Sequence, residues 1–226
     1  MVEIQPDSRK PEDALAGGNP PTKFESFMPT VPVGFTTPDF VSRSGLKLHA
    51  ALHTWNLPLN NCLAADLGCN VGGFVQCLLA QGAARVYAVD TGYGVLAWKL
   101  RRDPRVVVME RVNALHLQLP ELVDAITVDI GWTPQDKILP AAARLLKPNG
   151  WIITLIKPHY ESADARRQKG VLQPAQSLVV LRRVLGRITQ MNLTVRAVVQ
   201  SPIAGHGGNM EYLAHLTLAA NAPPTR

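Results

Sequence analysis

One short segment limits the fold of this chain more than any other, because it joins a predicted buried strand to a predicted helix through closely spaced glycines. The strand covers residues 62–67 and the helix covers residues 73–81. Across the junction the sequence reads Ala65-Asp66-Leu67-Gly68-Cys69-Asn70-Val71-Gly72-Gly73-Phe74. Glycines at such a junction permit a tight turn and let a ligand approach the backbone. The segment therefore predicts a βα unit with a ligand-binding loop at the carboxyl end of its strand.

The rest of the chain alternates short apolar runs with helical stretches. Further helices are predicted over residues 45–56, 95–102, 135–146 and 176–189, with Ser44 as the cap of the first. Further strands are predicted over residues 86–89, 106–109, 125–130, 151–156, 195–199 and 212–218, with a turn at 148–150. Strands that lack polar alternation are typical of a parallel sheet covered by helices on both faces. We therefore expect an α/β fold with a doubly wound sheet.

The position of the prolines indicates how the chain is divided. Residues 1–38 hold seven of the 18 prolines, and proline fixes φ and removes a backbone donor. We expect these residues to form an extended or disordered arm, which Phe24, Phe27 and Phe35 could attach to the body. Residues 39–226 are expected to form one domain, because domains usually contain about 100–200 residues.

The charge of the chain is unevenly distributed. The whole chain carries +6, residues 1–38 carry −2, and the remainder therefore carries +8. Three basic clusters contribute to this excess: Lys99, Arg101, Arg102 and Arg105; Arg166, Arg167 and Lys169; and Arg182, Arg183 and Arg187. A basic body favours a polyanionic partner, most simply nucleic acid. Any one cluster is also explained by a solvated helix face.

Composition disfavours several other classes of protein. No apolar run approaches the roughly 18 residues of a membrane span. The N-terminus contains Glu3 and Asp7 and lacks the apolar core of a signal peptide, so we expect a cytoplasmic protein with no membrane partner. The three cysteines, Cys62, Cys69 and Cys77, match neither a disulfide framework nor a Cys-x-x-Cys zinc pair. We therefore predict no metal site and interpret the cysteines as small buried residues.

The glycine spacing indicates which cofactor the loop accepts. Residues 68–73 read Gly-x-x-x-Gly-Gly and not the Gly-x-Gly-x-x-Gly of dinucleotide sites, which favours S-adenosylmethionine because it has no pyrophosphate. Asp66 is placed for the cationic methionine end, Asp90 for the ribose hydroxyls and Asn113 for the adenine edge. A structural turn at the glycines, a helix cap at Asp90 and a turn at Asn113 remain alternatives. The predicted cofactor contacts are Asp66, Gly68, Asn70, Gly72, Gly73, Phe74, Asp90, Asn113 and Asp129.

Motifs along most of the chain are similar to those of one enzyme family. Val41-Ser42-Arg43-Ser44-Gly45-Leu46-Lys47-Leu48 precedes the glycine loop, and Gly82-Ala83-Ala84-Arg85-Val86-Tyr87-Ala88-Val89-Asp90-Thr91-Gly92-Tyr93-Gly94 follows it. Later come Val128-Asp129, Leu155-Ile156-Lys157-Pro158, and Ser201-Pro202-Ile203 through Gly208-Asn209-Met210-Glu211-Tyr212. Over about residues 41–218 this order resembles the FtsJ-type RNA ribose methyltransferases, specifically the TlyA (hemolysin A) branch. The resemblance implies a Rossmann-like sheet of seven strands with the last strand antiparallel.

The resemblance also implies a catalytic tetrad of Lys47, Asp129, Lys157 and Glu211. A ribose hydroxyl is a weak acid, so the enzyme must align it with the methyl donor and remove its proton as the bond forms. Lys157 is the candidate closest to the hydroxyl, and it either removes the proton or orients the oxygen. Lys47 is expected to stabilise the developing oxyanion. Asp129 and Glu211 are expected to hold the two lysines in place.

The sequence departs from the family pattern in three places. Members of the TlyA branch usually carry a small RNA-binding domain before the methyltransferase, whereas the proline-rich residues 1–38 stand in that place here. Ser44 replaces a usual glycine. Gly131-Trp132-Thr133-Pro134 follows the catalytic aspartate, where the family usually has a serine and an aromatic residue. These departures leave the target nucleotide and the mode of RNA docking open.

The function that follows is S-adenosylmethionine-dependent 2′-O-methylation of RNA, with ribosomal RNA or a ribosomal subunit as partner and the oligomeric state open. One alternative is a non-catalytic RNA-binding relative, which loss of Lys157 or of the glycine loop would have favoured. Another is a methyltransferase that acts on protein or a small molecule, which an Asn-Pro-Pro-Tyr-like element after the fourth strand would have favoured. A pore-forming cytolysin would need an amphipathic or spanning segment, and the sequence offers none.

Overall fold

The computed structural model describes residues 38–162 and 170–220. The predicted arm, apart from Pro38, lies outside these residues together with Phe24, Phe27 and Phe35. The basic cluster of Arg166, Arg167 and Lys169 lies outside them as well. The expectations for these segments therefore remain predictions.

Helices and strands alternate along the described residues. The α-helices are α1 (Ser44–Trp55), α2 (Gly73–Ala80), α3 (Trp98–Arg101), α4 (Gln135–Ala143), α5 (Pro158–Glu161) and α6 (Pro174–Ile188). The strands are β1 (Leu63–Leu67), β2 (Arg85–Asp90), β3 (Val106–Glu110), β4 (Val123–Val128), β5 (Leu146–Ile156), β6 (Leu193–Gln200) and β7 (Tyr212–Leu218). Short 3-10 helices cover Ala114–His116 and His206–Gly208.

The strands form one seven-stranded sheet in the order β3-β2-β1-β4-β5-β7-β6. The strands β1 to β5 are parallel where they pair, and β7 runs antiparallel to both β5 and β6. The predicted doubly wound sheet with an antiparallel last strand is therefore confirmed. From β1 the chain moves outward to β3 and then returns to β4 on the other side of β1. Ligands bind at the carboxyl ends of the strands beside such a reversal.

Both faces of the sheet are buried, as the lack of polar alternation predicted. Neighbouring residues of β4 point to opposite faces, so that Ile126 packs with α4 and α6 while Ala125 packs with α1 and α2. Leu139 of α4 and Phe74 of α2 are almost fully buried in these two apolar layers. A helix layer on each face leaves the two ends of the strands as the places for a polar site.

The structure differs from the sequence-based expectations in several local details, and the helix predicted over residues 95–102 covers only Trp98–Arg101. Ser44 is the first residue of α1 and caps nothing; its hydroxyl lies 2.7 Å from that of Ser42. Residues 148–150, predicted as a turn before β5, lie within β5, where the four residues 147–150 lie opposite the single residue 124 of β4 and form a bulge. Helix α6 begins earlier than predicted because Gln173 and Gln176 form a capping box and Pro174 suits the first turn.

The three cysteines are free thiols. Cys69 and Cys77 are buried, as expected, whereas Cys62 is partly exposed. Within residues 38–162 and 170–220, no helix is both long enough and apolar enough to cross a membrane.

Candidate active site

Two adjoining cavities open at the carboxyl ends of the central strands. The larger cavity, of about 470 Å³, reaches from α1 and the glycine loop to the segments after β4 and β5 and before β7. The smaller cavity, of about 330 Å³, lies toward β2. Gly68, Asn70, Asp129 and Gly131 line both cavities. The site is therefore at the chain reversal beside β1, where the fold predicts a ligand.

All four residues of the predicted tetrad line the larger cavity. Lys47 comes from α1, Asp129 and Lys157 follow the parallel strands β4 and β5, and Glu211 directly precedes β7. Parallel neighbours end at the same edge, which places Asp129 beside Lys157. The antiparallel β7 begins where β5 ends, with Tyr212 opposite Ile156, and this brings Glu211 to the same edge.

The tetrad forms two ion pairs. Lys47 Nζ donates to Glu211 Oε2 at 2.5 Å, and only 11% and 3% of these side chains are exposed. Lys157 Nζ lies 2.6 Å from Asp129 Oδ1, with 15% and 18% exposed, but the approach lacks the alignment of a hydrogen bond. The first pair is thus closed and buried, whereas the second retains surface toward the cavity.

The segment before β7 is shaped to hold Glu211. A side chain at residue 205 would overlap the Glu211 carboxylate, so Gly205 leaves the space that the acid occupies. Asn209, which is 2% exposed, accepts from the Leu172 amide and donates to the Gly170 and His206 carbonyls. These bonds fix the 203–206 segment, which forms one wall of the larger cavity.

Asp66 is a fully buried carboxylate on the wall of the larger cavity. Its Oδ1 accepts a hydrogen bond from Thr127 Oγ1 at 2.7 Å, and among the described residues its Oδ2 accepts no hydrogen bond of normal geometry, although the nearby Val75 amide favours the ionised carboxylate. Burial is the main reason that the pKa of Asp66 is raised to about 8. A carboxylate oxygen without such a bond in this place fits a cationic ligand group, which would satisfy it and favour its ionised form.

The smaller cavity is built around Asp90 and Asn113. The Asp90 carboxylate accepts from the Asn70 amide at 2.8 Å and from the Gly92 amide at 2.7 Å, so it fixes the glycine loop to the end of β2. Asn113 Oδ1 accepts from the Leu115 amide at 3.0 Å and caps a 3-10 helix, as the alternative interpretation held. Both residues also line the cavity, so their role in binding a cofactor remains a prediction.

The glycine loop serves two purposes. Gly68 has a φ of +88°, and a side chain there would come 2.7 Å from the Asp129 carbonyl oxygen, so the position favours glycine. Gly68, Asn70 and Phe74 line the larger cavity. Gly72 and Gly73 line neither of these two cavities. They are buried where α2 begins, and because they have no side chain they let α3 and α1 approach closely.

The sequence reasoning did not identify an aromatic edge beside the tetrad. Trp132, which is 79% exposed and has a φ of +64°, packs on Tyr160 with ring centroids 4.5 Å apart. Tyr160 also packs on His159 and lies under Lys157 Nζ at 5.7 Å. The aromatic residue three positions after Lys157 was the signal available in the sequence.

His159 adds a neutral polar group to the larger cavity. Burial is the main reason that its pKa is lowered to about 4, followed by the positive charge of Lys157. At neutral pH the imidazole is therefore uncharged, and one ring nitrogen can donate while the other accepts.

One expected basic cluster is only partly available. Arg187 lies 2.5 Å from Glu161 Oε2 and 3.6 Å from Asp136 Oδ2, so its charge is neutralised within the fold. Glu161 Oε1 in turn accepts from the Gln135 amide at 2.7 Å. These contacts connect the first residue of α4 with the last residue of α5, the helices that follow Asp129 and Lys157 in the chain.

The sheet order, the antiparallel last strand and a polar site beside the glycine loop together define an α/β methyltransferase fold. The chain belongs to the FtsJ-like methyltransferase family, whose family model matches residues 40–218. The resemblance inferred from the motifs is thereby confirmed.

Relatives support this membership along most of the chain. The 16S/23S rRNA (cytidine-2'-O)-methyltransferase TlyA of Mycobacterium tuberculosis is 37% identical over an alignment of 186 positions that covers 78% of this chain and 68% of the relative. YqxC of Bacillus subtilis, named a putative rRNA methyltransferase, is also 37% identical over an alignment of 186 positions, which covers 78% of this chain and 65% of the relative. This chain therefore spans about two thirds of the length of these relatives.

A solved structure shows the same fold. The structure of a putative hemolysin from Streptococcus thermophilus matches with a TM-score of 0.77 at 35% identity, over 84% of this chain and 72% of the other.

Proposed function

We propose that this chain transfers a methyl group from S-adenosylmethionine to a ribose 2′-hydroxyl of ribosomal RNA in the cytoplasm. The observation that carries the proposal is that two lysine–carboxylate pairs, from α1 and from the ends of β4, β5 and β7, line one cavity beside the buried carboxylate of Asp66. The TlyA relative is named for this activity on 16S and 23S rRNA.

The residues around the two cavities fit S-adenosylmethionine. Asp66 would receive its α-amino group, because among the described residues Oδ2 accepts no hydrogen bond of normal geometry. Gly68 and Asn70 would contact its middle portion, while Asp90 and Asn113 would hold its adenosine in the smaller cavity. Phe74 and Asp129 complete the set that we propose, whereas Gly72 and Gly73 would act by shaping the loop. When bound, the cofactor supplies a methyl group on a sulfonium, which is already a good electrophile.

The tetrad supplies the groups that act on the acceptor. Lys157, beside Asp129, would contact the hydroxyl oxygen and either orient it or take its proton. Lys47, held by Glu211, would stabilise negative charge that develops on the same oxygen. Asp129 lines both cavities, so it would connect acceptor alignment with cofactor binding.

RNA as the acceptor agrees with the chemistry around the cavity. Residues 39–226 carry +8, which favours association with a polyanion. The exposed Trp132–Tyr160 stack at the edge of the cavity offers an aromatic face to an unstacked base. A non-catalytic relative is disfavoured because the glycine loop and all four tetrad positions are retained.

The test is methyl transfer to defined substrates. The protein is incubated with radiolabelled S-adenosylmethionine and total RNA, then with isolated ribosomal subunits, and labelled nucleotides are mapped. We expect label in RNA and resistance to alkali at the modified position, because a 2′-O-methyl group cannot attack the neighbouring phosphate. Label in protein, or ordinary alkaline cleavage at a labelled nucleotide, would overturn the proposal. Lys157→Ala serves as the inactive control.

A further inference from the structure

An exposed aromatic and basic surface lies away from the tetrad, on the segment between β2 and β3 and on Arg111, which follows β3. It consists of Tyr93, Val95, Trp98, Lys99, Arg102 and Arg111, which we call the β2–α3 patch. Tyr93 and Trp98 are 70% and 69% exposed, which is unusual for large aromatic side chains. A core role explains neither of them.

Each aromatic ring of the patch is covered by an arginine. The guanidinium carbon of Arg111 lies 4.3 Å from the Tyr93 ring centroid, and that of Arg102 lies 5.9 Å from the Trp98 ring centroid. Such pairs orient the rings and leave the charge at the surface. Each pair therefore presents a flat apolar face together with a cation.

A buried acid holds the patch in place. The Glu110 side chain, 9% exposed, pairs with Arg101 of α3 and accepts from the Gly94 amide at 2.7 Å. Glu110 thus connects α3, which carries Trp98, to the loop that carries Tyr93. Two basic neighbours are neutralised, Arg101 by Glu110 and Arg105 by Asp103.

The charge of the patch itself is not neutralised. Within residues 38–162 and 170–220, no acidic side chain lies within ion-pair distance of Lys99, Arg102 or Arg111. Three cations that form no ion pair, beside two exposed aromatic rings, are typical of a surface for single-stranded nucleic acid, where bases stack and phosphates meet positive charge. A protein partner would have to supply matching acidic groups.

The patch lies on the same edge of the sheet as the tetrad. Three strand positions separate β2, which ends at Asp90, from β5, which ends before Lys157. At about 4.8 Å for each neighbouring pair this is about 14 Å. A stacked nucleic-acid strand advances about 3.4 Å per nucleotide. The strand ends that precede the patch and Lys157 are therefore a few nucleotides apart.

We propose that the β2–α3 patch binds unpaired nucleotides of the RNA substrate, a few positions from the nucleotide whose ribose enters the larger cavity. The proposal rests on the function proposed above and adds a second contact to it. The patch would fix the register of the RNA strand, so that one particular ribose reaches Lys157.

The first experiment measures binding of fluorescent 12-nucleotide single-stranded RNAs, oligo(A) and oligo(U), to the full chain over a range of salt concentrations. We expect Trp98→Ala to weaken binding about fivefold or more, since each stacked base contributes substantially. Trp98→Phe should restore most of the affinity. Arg102→Ala should also lower the slope of log affinity against log salt by about 0.7. Val179→Ala, at an exposed apolar position on α6, is the matched control and should bind as the wild type does.

Wild-type affinity in Trp98→Ala would overturn the proposal, and so would a Trp98→Phe variant no better than Trp98→Ala. Loss of self-association in Trp98→Ala without any change in RNA binding would assign the patch to a protein contact instead. Cofactor affinity, measured by calorimetry, should be the same in all variants.

A second measurement separates this proposal from the proposed function. If wild-type protein methylates ribosomal RNA and Trp98→Ala methylates it equally well at the same nucleotide, the patch proposal fails alone. If the patch binds the oligonucleotides as expected but no RNA is methylated, the proposed function fails alone. We expect Trp98→Ala to raise the KM for RNA more than it lowers kcat.

Discussion

Lys47 and Glu211 are 164 positions apart in the chain, and their side chains meet at 2.5 Å in a buried ion pair. The pair connects α1 on one face of the sheet with the start of β7, the strand inserted between β5 and β6. We expect the pair to contribute to stability and propose that it also contributes to catalysis, and substitutions can separate the two.

The first prediction concerns this pair. Glu211→Ala should destabilise the protein by about 3–5 kcal/mol, because it leaves the Lys47 ammonium buried without its partner. The double variant Lys47→Met/Glu211→Leu should recover most of that stability, since apolar groups of similar size replace both charges. Urea unfolding measures the stability of each variant, and a methyl-transfer assay measures its catalytic activity. A double variant that is both stable and fully active would show that the pair has no catalytic role.

The second prediction concerns the other pair. Lys157→Ala should lower methyl transfer by about 10²–10⁴-fold and leave cofactor affinity nearly unchanged, because we propose that Lys157 contacts the acceptor and not the cofactor. Asp129→Ala should lower methyl transfer and also cofactor affinity, since Asp129 lines the larger and the smaller cavity. The double variant should be little worse than Lys157→Ala, as expected of residues that act together. Additive losses, measured in single-turnover assays, would contradict this.

The third prediction is a pH dependence that arises from Asp66. Its pKa in the folded protein, about 8, lies above its ordinary value of 3.8. The folded state therefore holds a proton that the unfolded state loses, and the stability without cofactor should fall as pH rises from about 4 through about 8. S-adenosylmethionine, whose amino group favours the ionised carboxylate, should bind with release of a proton below pH 8.

The control for Asp66 is Asp66→Asn, which keeps an acceptor for Thr127 but cannot ionise. Its stability should no longer fall over this pH range, and its affinity for S-adenosylmethionine should be lower at pH 8. Calorimetry in buffers of different ionisation enthalpy counts the released proton. Equal proton release in wild type and Asp66→Asn would assign the effect to another group.

The fourth prediction concerns positioning of the catalytic segments by Glu161. Glu161→Ala should lower kcat with little change in the KM for S-adenosylmethionine, because it disconnects the helices after Asp129 and Lys157. Asp136→Ala removes only the longer, 3.6 Å contact of Arg187 and is the matched control. Glu161→Gln, which can still accept from the Gln135 amide, should retain more activity than Glu161→Ala. Equal activity in all three variants would exclude a positioning role.

The sequence predicted those features that short-range patterns encode. The glycine loop after β1 follows from the apolar run that ends at Leu67 and from the glycines behind it. The doubly wound sheet follows from strands without polar alternation, and the tetrad positions follow from motifs on four separate segments. The glycine and strand signals each lie within about ten residues, whereas the tetrad positions are implied by the resemblance of four separate segments to one family.

The tertiary structure decided which distant residues meet. Insertion of β7 between β5 and β6 brings Glu211 to Lys47, and no local pattern encodes that strand order. The fold also pairs Arg187 with Glu161, which removes it from the predicted basic cluster, and stacks Trp132 on Tyr160. Gly72 and Gly73 are predicted as cofactor contacts, and the fold also places them where α2 packs closely against α3 and α1. The physical reason is the same throughout: side-chain chemistry is fixed by the residue, whereas its partner depends on how buried surfaces pack around the whole sheet.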